Sequence, residues 1–206
     1  GLLTYWPGTP DPFAYGEPLQ IVCEETPIHH QAGEQGSIQG PVERRWGYIQ
    51  PTVGDWRGDG QLTIITADIN SDLTLYDVTS QPGTLANKRV LTQNGKPLPT
   101  AWRSRPAIIP SSVDFGGLGR PSLLYLDWDG DLAVAMPAES GGSEIESSQK
   151  LHYTDGRIIR LCGPAGLWGR AKIAINDLDG DGDWDVLLGT NRSCVPYFNL
   201  HVKPMA

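Results

Sequence analysis

A chain of 206 residues is long enough to bury a substantial core. Its 25 glycines and 17 prolines, with no long apolar pattern of helical period, point to many short strands and turns, and so to an all-β fold. The formal net charge of −8 argues against nucleic acid as a default partner, and no apolar stretch is long enough to cross a membrane as a helix. The chain opens at Gly1-Leu2-Leu3 with no visible signal peptide, so any targeting segment is expected to have been removed.

Residues 2–6 and 18–23 read as strands, and residues 1–45 are expected to give the outer strands of one sheet followed by a crossover. That crossover carries His29, His30, Arg44 and Arg45 and runs into Trp46 and Tyr48. Residues 46–104 read as a four-stranded unit, with strands at 47–53, 62–67, 73–78 and 89–92. The first two of these are joined by Asp55-Trp56-Arg57-Gly58-Asp59-Gly60, and a crossover with Trp102, Arg103 and Arg105 follows. Residues 105–169 give a second unit, with Asp114-Phe115-Gly116-Gly117-Leu118-Gly119 early in it and the tight polar turn Asp127-Trp128-Asp129-Gly130-Asp131 later. Trp168 and Arg170 lead into residues 170–206, which supply the inner strands of a further unit: Ala171-Lys172-Ile173-Ala174-Ile175 alternates, and Val186-Leu187-Leu188-Gly189 is an apolar run stopped by glycine.

Between those last two strands lies the densest motif of the chain. Asp177, Asp179, Asp181, Asp183 and Asp185 alternate with other residues, among them Gly180 and Gly182. Five like charges this close repel unless a cation sits among them, and hard oxygen donors in a glycine-flexed loop suit Ca²⁺ better than zinc or copper. The flanking strands exclude an EF-hand or a dockerin-like module, which needs helices. Two earlier segments share the pattern: Asp, apolar, any, Gly, any, Gly, two variable residues, Thr/Ser/Asp, then two aliphatics. They start at Asp55 and Asp114, 59 residues apart, and Asp177 follows 63 residues later. The first has Arg57 and Thr63 where the third has Asp179 and Asp185, and the second keeps only Asp114. One strong calcium site is therefore expected at the third loop, a weak or absent one at Asp55/Asp59, and none at Asp114.

With these features the chain resembles the FG-GAP/VCBS-type repeat of integrin-like calcium-loop β-propellers. The resemblance spans nearly the whole chain through its periodicity and is most specific in D-x-D-G-D-G-x-x-D followed by V-L-L-G. It implies β-propeller blades, with Ca²⁺ held in loops joining the first two strands of a blade. The ligands would be Asp177, Asp179, Asp181, Asp183 (through its carbonyl) and Asp185. Three repeats do not close a ring of 4–8 blades, so a larger or self-assembled propeller is implied. Loops of low calcium affinity suit millimolar extracellular calcium, and secretion is expected. A Cys162–Cys194 bridge and free buried thiols both fit the cysteine placement.

Five of the 11 arginines (Arg44, Arg45, Arg103, Arg105 and Arg170) sit just before an inner strand, each near a tryptophan. In a propeller this is the mouth of the central channel. One reading makes Arg45, Trp46, Trp102, Arg103, Arg105, Trp168 and Arg170 a cationic, aromatic-lined site for an anionic sugar chain. The other makes the tryptophans wedges between blades and the arginines their stacking partners or partners of Asp68 or Asp127. The expected function is a binding module for carbohydrate or protein. The alternative is an acidic-polysaccharide lyase, whose β-elimination needs a cation for the uronate carboxylate, a base and an acid; Arg44, His29 or His30, and Tyr48 are the candidates.

Overall fold

The computed structural model describes residues 1–32, 46–101, 103–113, 119–161, 171–181 and 184–189, and the backbone of Tyr197–Leu200. All regular structure among them is β, in several sheets, none of which closes on itself. The order in which β-forming runs and turn residues alternate along the chain makes consecutive strands pair as antiparallel neighbours.

The first large sheet is built from β5 (Gln50–Gly54), β6 (Thr63–Ala67), β7 (Leu73–Val78) and β8 (Thr84–Val90), each antiparallel to the next. The expected fourth strand at 89–92 lies earlier in the chain, at β8. Its position is held by Asp77, which takes Arg89 in two hydrogen bonds and the Asn87 amide in a third, across a register shift between Leu75 and Asp77. The second sheet has β11 (Ala107–Ile109), β12 (Ser122–Leu126), β13 (Leu132–Pro137) and β14 (Ile145–Lys150). The third has β15 (Lys172–Asn176), β16 (Trp184–Gly189) and β17 (Tyr197–Leu200).

These sheets are stacked face to face. The period-2 alternation of a strand sends successive side chains to opposite faces. Leu123 and Tyr125 of β12 join Ala133 and Ala135 of β13 in the core shared with the first sheet, which also holds Ile65, Leu75 and Trp56. The intervening Leu124, Leu126, Leu132, Val134 and Met136 enter a second core with Ile173, Val186 and Leu188 of the third sheet. Burial on both faces explains why β12 and β13 read as continuous apolar runs while β14 at the sheet edge alternates. The inner strands β5, β11 and β15 lie side by side. Gly54 lets β5 approach β11, since a Cβ there would stand 3.2 Å from the side chain of Ile108.

A small hairpin follows each outer strand. The N-terminal strands β1 (Thr4–Tyr5) and β2 (Leu19–Gln20) pair, and the expected strand at 18–23 divides at Ile21. Beyond it, β3 (Val22–Cys23) and β4 (Thr26–Pro27) form a hairpin whose β3 runs parallel to β8. The hairpin of β9 (Thr92–Gln93) and β10 (Lys96–Pro97) does the same to the second sheet, with Thr92 bridged in parallel to Glu144. Matching hydrogen bonds close the turns: Ile28 N–H to Ile21, Leu98 N–H to Leu91 and Ile159 N–H to Leu151.

Candidate functional site

The loops between the first two strands of the sheets differ in what their carboxylates do. In the first loop Asp55 Oδ1 accepts the backbone N–H groups of Arg57, Gly58 and Asp59, at 3.2, 2.7 and 3.2 Å, and Oδ2 accepts that of Gly60 at 2.8 Å. The Gln61 N–H, and then Arg57 at 2.9 Å, hold the Asp59 carboxyl below the usual range. This loop folds around its own carboxylates and carries its own cation. The Asp114 segment lies outside the described residues.

The third loop is different. Carboxylate oxygens of Asp177, Asp179 and Asp185 all lie within 4.8 Å of one another. Asp177 and Asp185 sit at the ends of β15 and β16, paired strands that bring the two carboxylates back together, and Asn176 lies opposite Asp185 in register. Gly180 turns the loop in a left-handed conformation, φ +79°, as Gly58 does at the same place in the first loop, φ +71°. Asp185 is fully buried; its Oδ2 accepts the Leu178 N–H at 2.8 Å, whereas its Oδ1 is buried with no hydrogen-bond partner. A buried carboxylate oxygen without a donor is costly, and a cation bound among the three would supply the missing partner. The Asp179 carboxyl is pushed up by desolvation and by the charges of Asp181 and Asp185. Asp177, Asp179 and Asp185 could thus hold a hard metal ion. Asp181 is exposed and not part of this triad, and Asp183 lies outside the described residues.

A second carboxylate triad, Asp127, Asp129 and Asp131, has the same proximity but a different occupant. The Lys150 ammonium stands 3.1, 3.2 and 2.7 Å from the three carboxylates, and Arg160 clamps Asp131 through Nε and Nη2 at 2.6 and 3.1 Å. Here the side chains themselves provide the cation. The Arg160 and Lys150 hydrogen bonds hold the fully buried Asp131 below the usual carboxylate range. Its stabilisation is therefore complete above about pH 4, where the unfolded carboxyl also ionises, and fades as pH falls through the lower folded value. Asp131→Asn is expected to cost about 1–3 kcal/mol at pH 7. The deficit relative to wild type should shrink as thermal unfolding is followed toward pH 3; a constant deficit would refute the pairing.

The residues of the crossovers are placed as follows. His30 Nδ1 is 2.6 Å from Asp68 Oδ2 and its Nε2 is 3.3 Å from the Tyr76 hydroxyl, whose pKa burial pushes up to about 12. His29 is exposed and bridges Leu2 through its backbone. The guanidinium of Arg103 lies 3.5 Å from the centroid of the Tyr48 ring, and Trp46 meets the same ring edge-on at 5.7 Å. Arg105 lines a cavity of about 470 Å³ between the three inner strands, with Asp55, Pro110 and Trp184 also in its wall. Arg44, Arg45, Trp102, Trp168 and Arg170 lie outside the described residues, as do Cys162 and Cys194. Sequence reasoning did not single out Lys150, Arg160 or Asp68 with His30, because each acts across a distance of 19 residues or more.

No protein-family model matches the chain, and no curated protein matches it.

Proposed function

We propose that the chain is a calcium-stabilised segment of a secreted, FG-GAP/VCBS-type β-propeller that binds carbohydrate or protein. The observation that carries the calcium part is the buried Oδ1 of Asp185, without a donor, beside Asp177 and Asp179 in the loop joining two adjacent strands. Hard oxygen donors on a glycine turn suit Ca²⁺, which tolerates irregular geometry, better than Mg²⁺, which demands near-ideal octahedra. When bound, the ion would supply charge neutralisation and fix the β15–β16 connection. The propeller part is supported by face-to-face sheets whose first strands lie side by side, and by hairpins that clasp the next sheet. The binding part is supported by the cavity between those first strands, which combines Arg105 with the Trp184 ring.

The lyase alternative asks His29 or His30, with Tyr48 and Arg44, to act on a substrate; His29 is exposed and Arg44 lies outside the described residues. Both ring nitrogens of His30 are engaged by Asp68 and Tyr76, and Tyr48 is contacted by Arg103 and Trp46, so binding is the preferred reading. Thermal unfolding with and without calcium, followed by a glycan array in the favourable condition, tests the proposal. Stabilisation by calcium and retention of one glycan class are expected. Indifference to calcium would remove the first part, and unsaturated products released from uronate polymers would favour the lyase.

A further inference from the structure

Arg105 and Lys172 are cross-strand neighbours. Their residues form a parallel bridge, with the Arg105 N–H donating to Ala171 at 2.8 Å and the Ile173 N–H to Arg105 at 3.1 Å. Two cations placed directly opposite each other repel. In this chain of net charge −8, carboxylates elsewhere neutralise such groups: Asp77 takes Arg89, Glu146 takes Arg120 and Asp131 takes Arg160. Among the described residues, neither Arg105 nor Lys172 has an acidic partner. The Arg105 Nη2 reaches only the Ile173 carbonyl, at 3.5 Å, and the Lys172 ammonium donates to the carbonyl of Arg103, at 2.7 Å. Both side chains are half-buried, so water screens the repulsion only in part.

The surroundings of this pair are those of a binding site. Arg105 lines the cavity between β5, β11 and β15, as does Ile173, the residue next to Lys172. Asp55 also lines it, with both carboxylate oxygens engaged by backbone N–H groups of its own loop. Pro51, Pro110 and Trp184 add apolar surface along it. The Lys172 carbonyl contact uses one of three ammonium donors, and the Arg105 contact uses one nitrogen of its fork.

We infer that Arg105 and Lys172 form an oxyanion subsite, which takes the carboxylate or sulfate ester of a sugar whose ring lies along the apolar wall of this cavity. The inference rests on the carbohydrate-binding reading and deepens it. Charge-assisted hydrogen bonds from two cations would both hold the anion and relieve their mutual repulsion. Burial, with the charges of Arg105 and Arg103 behind it, lowers the Lys172 ammonium to about 8. Since only the protonated form attracts the anion, affinity falls as pH rises through that value.

Calorimetric titration at pH 7 and pH 9, in calcium, with glucuronate, glucose and inorganic sulfate tests this. Glucuronate is expected to bind more tightly than glucose, and about tenfold more tightly at pH 7 than at pH 9. Lys172→Met should weaken it about tenfold. Lys172→Arg should restore binding and flatten the pH dependence between 7 and 9, which separates a lost charge from a misfolded variant. Equal affinity for glucuronate and glucose, or unchanged affinity in a folded Lys172→Met variant, would overturn the subsite while leaving carbohydrate binding intact. Sulfate binding that depends on Lys172, with no sugar bound, would support the subsite and count against carbohydrate.

Discussion

Trp56→Ala is expected to be the most damaging single substitution among the described residues. The indole is fully buried in the core shared by the first two sheets, alongside Ala133 and Ala135, whose small side chains leave it room. Its Nε1–H donates to the Gly142 carbonyl at 2.8 Å, and its backbone carbonyl accepts the Gly141 N–H at 3.0 Å. One residue of an exposed loop thus fastens the first sheet to the outer turn of the second. Truncation removes a large apolar area, leaves a cavity and strands the Gly142 carbonyl, at a cost of about 3–5 kcal/mol. For a chain of this size that is a fall in Tm of about 10 °C. Leu178 holds the same motif position in the third loop but is 50% exposed, and Leu178→Ala should cost under about 1 kcal/mol. Similar losses in the two variants would show that the position, not its burial between sheets, sets the effect.

Asp185→Asn is expected to leave stability without calcium almost unchanged and to abolish the gain that calcium brings. The amide oxygen can still accept the Leu178 N–H, so the β15–β16 turn keeps its internal bond. The variant loses the charge and puts an NH₂ where the donor-less Oδ1 stands. At calcium one hundred times the dissociation constant, wild type should gain about 2.7 kcal/mol. That corresponds to about 5–10 °C in Tm. The same calcium-dependent rise in Asp185→Asn would place the ion elsewhere. In contrast, calcium should add nothing at Asp127, Asp129 and Asp131, because the Lys150 ammonium already stands among them.

The all-β character was legible because glycine and proline punctuate short β-prone runs, and strands such as Leu73–Val78 coincide with the sequence expectation. Among the described residues, Asp177, Asp179 and Asp185 converge from an alternation visible in the chain, since paired strands return the two ends of a short loop to one place. The interlocking hairpins were not legible. Their strands are two residues long, too short to show an alternation, and what positions them is pairing with a neighbouring sheet. Nor does the spacing of Asp127, Asp129 and Asp131 distinguish a metal cage from an ion-pair cluster; that depends on Lys150 and Arg160, 19 and 29 residues beyond Asp131.

The hairpins also give the molecule a polarity. Two of them, from earlier stretches of chain, lay a strand against the outer strand of a later sheet: Val22 on Thr84, Thr92 on Glu144. During synthesis the earlier hairpin therefore emerges before the edge it covers, and it is ordered by pairing with that edge. Removing residues 1–27 uncovers the β8 edge, and removing the second sheet leaves β9 without its partner and opens the core it shares with the first sheet.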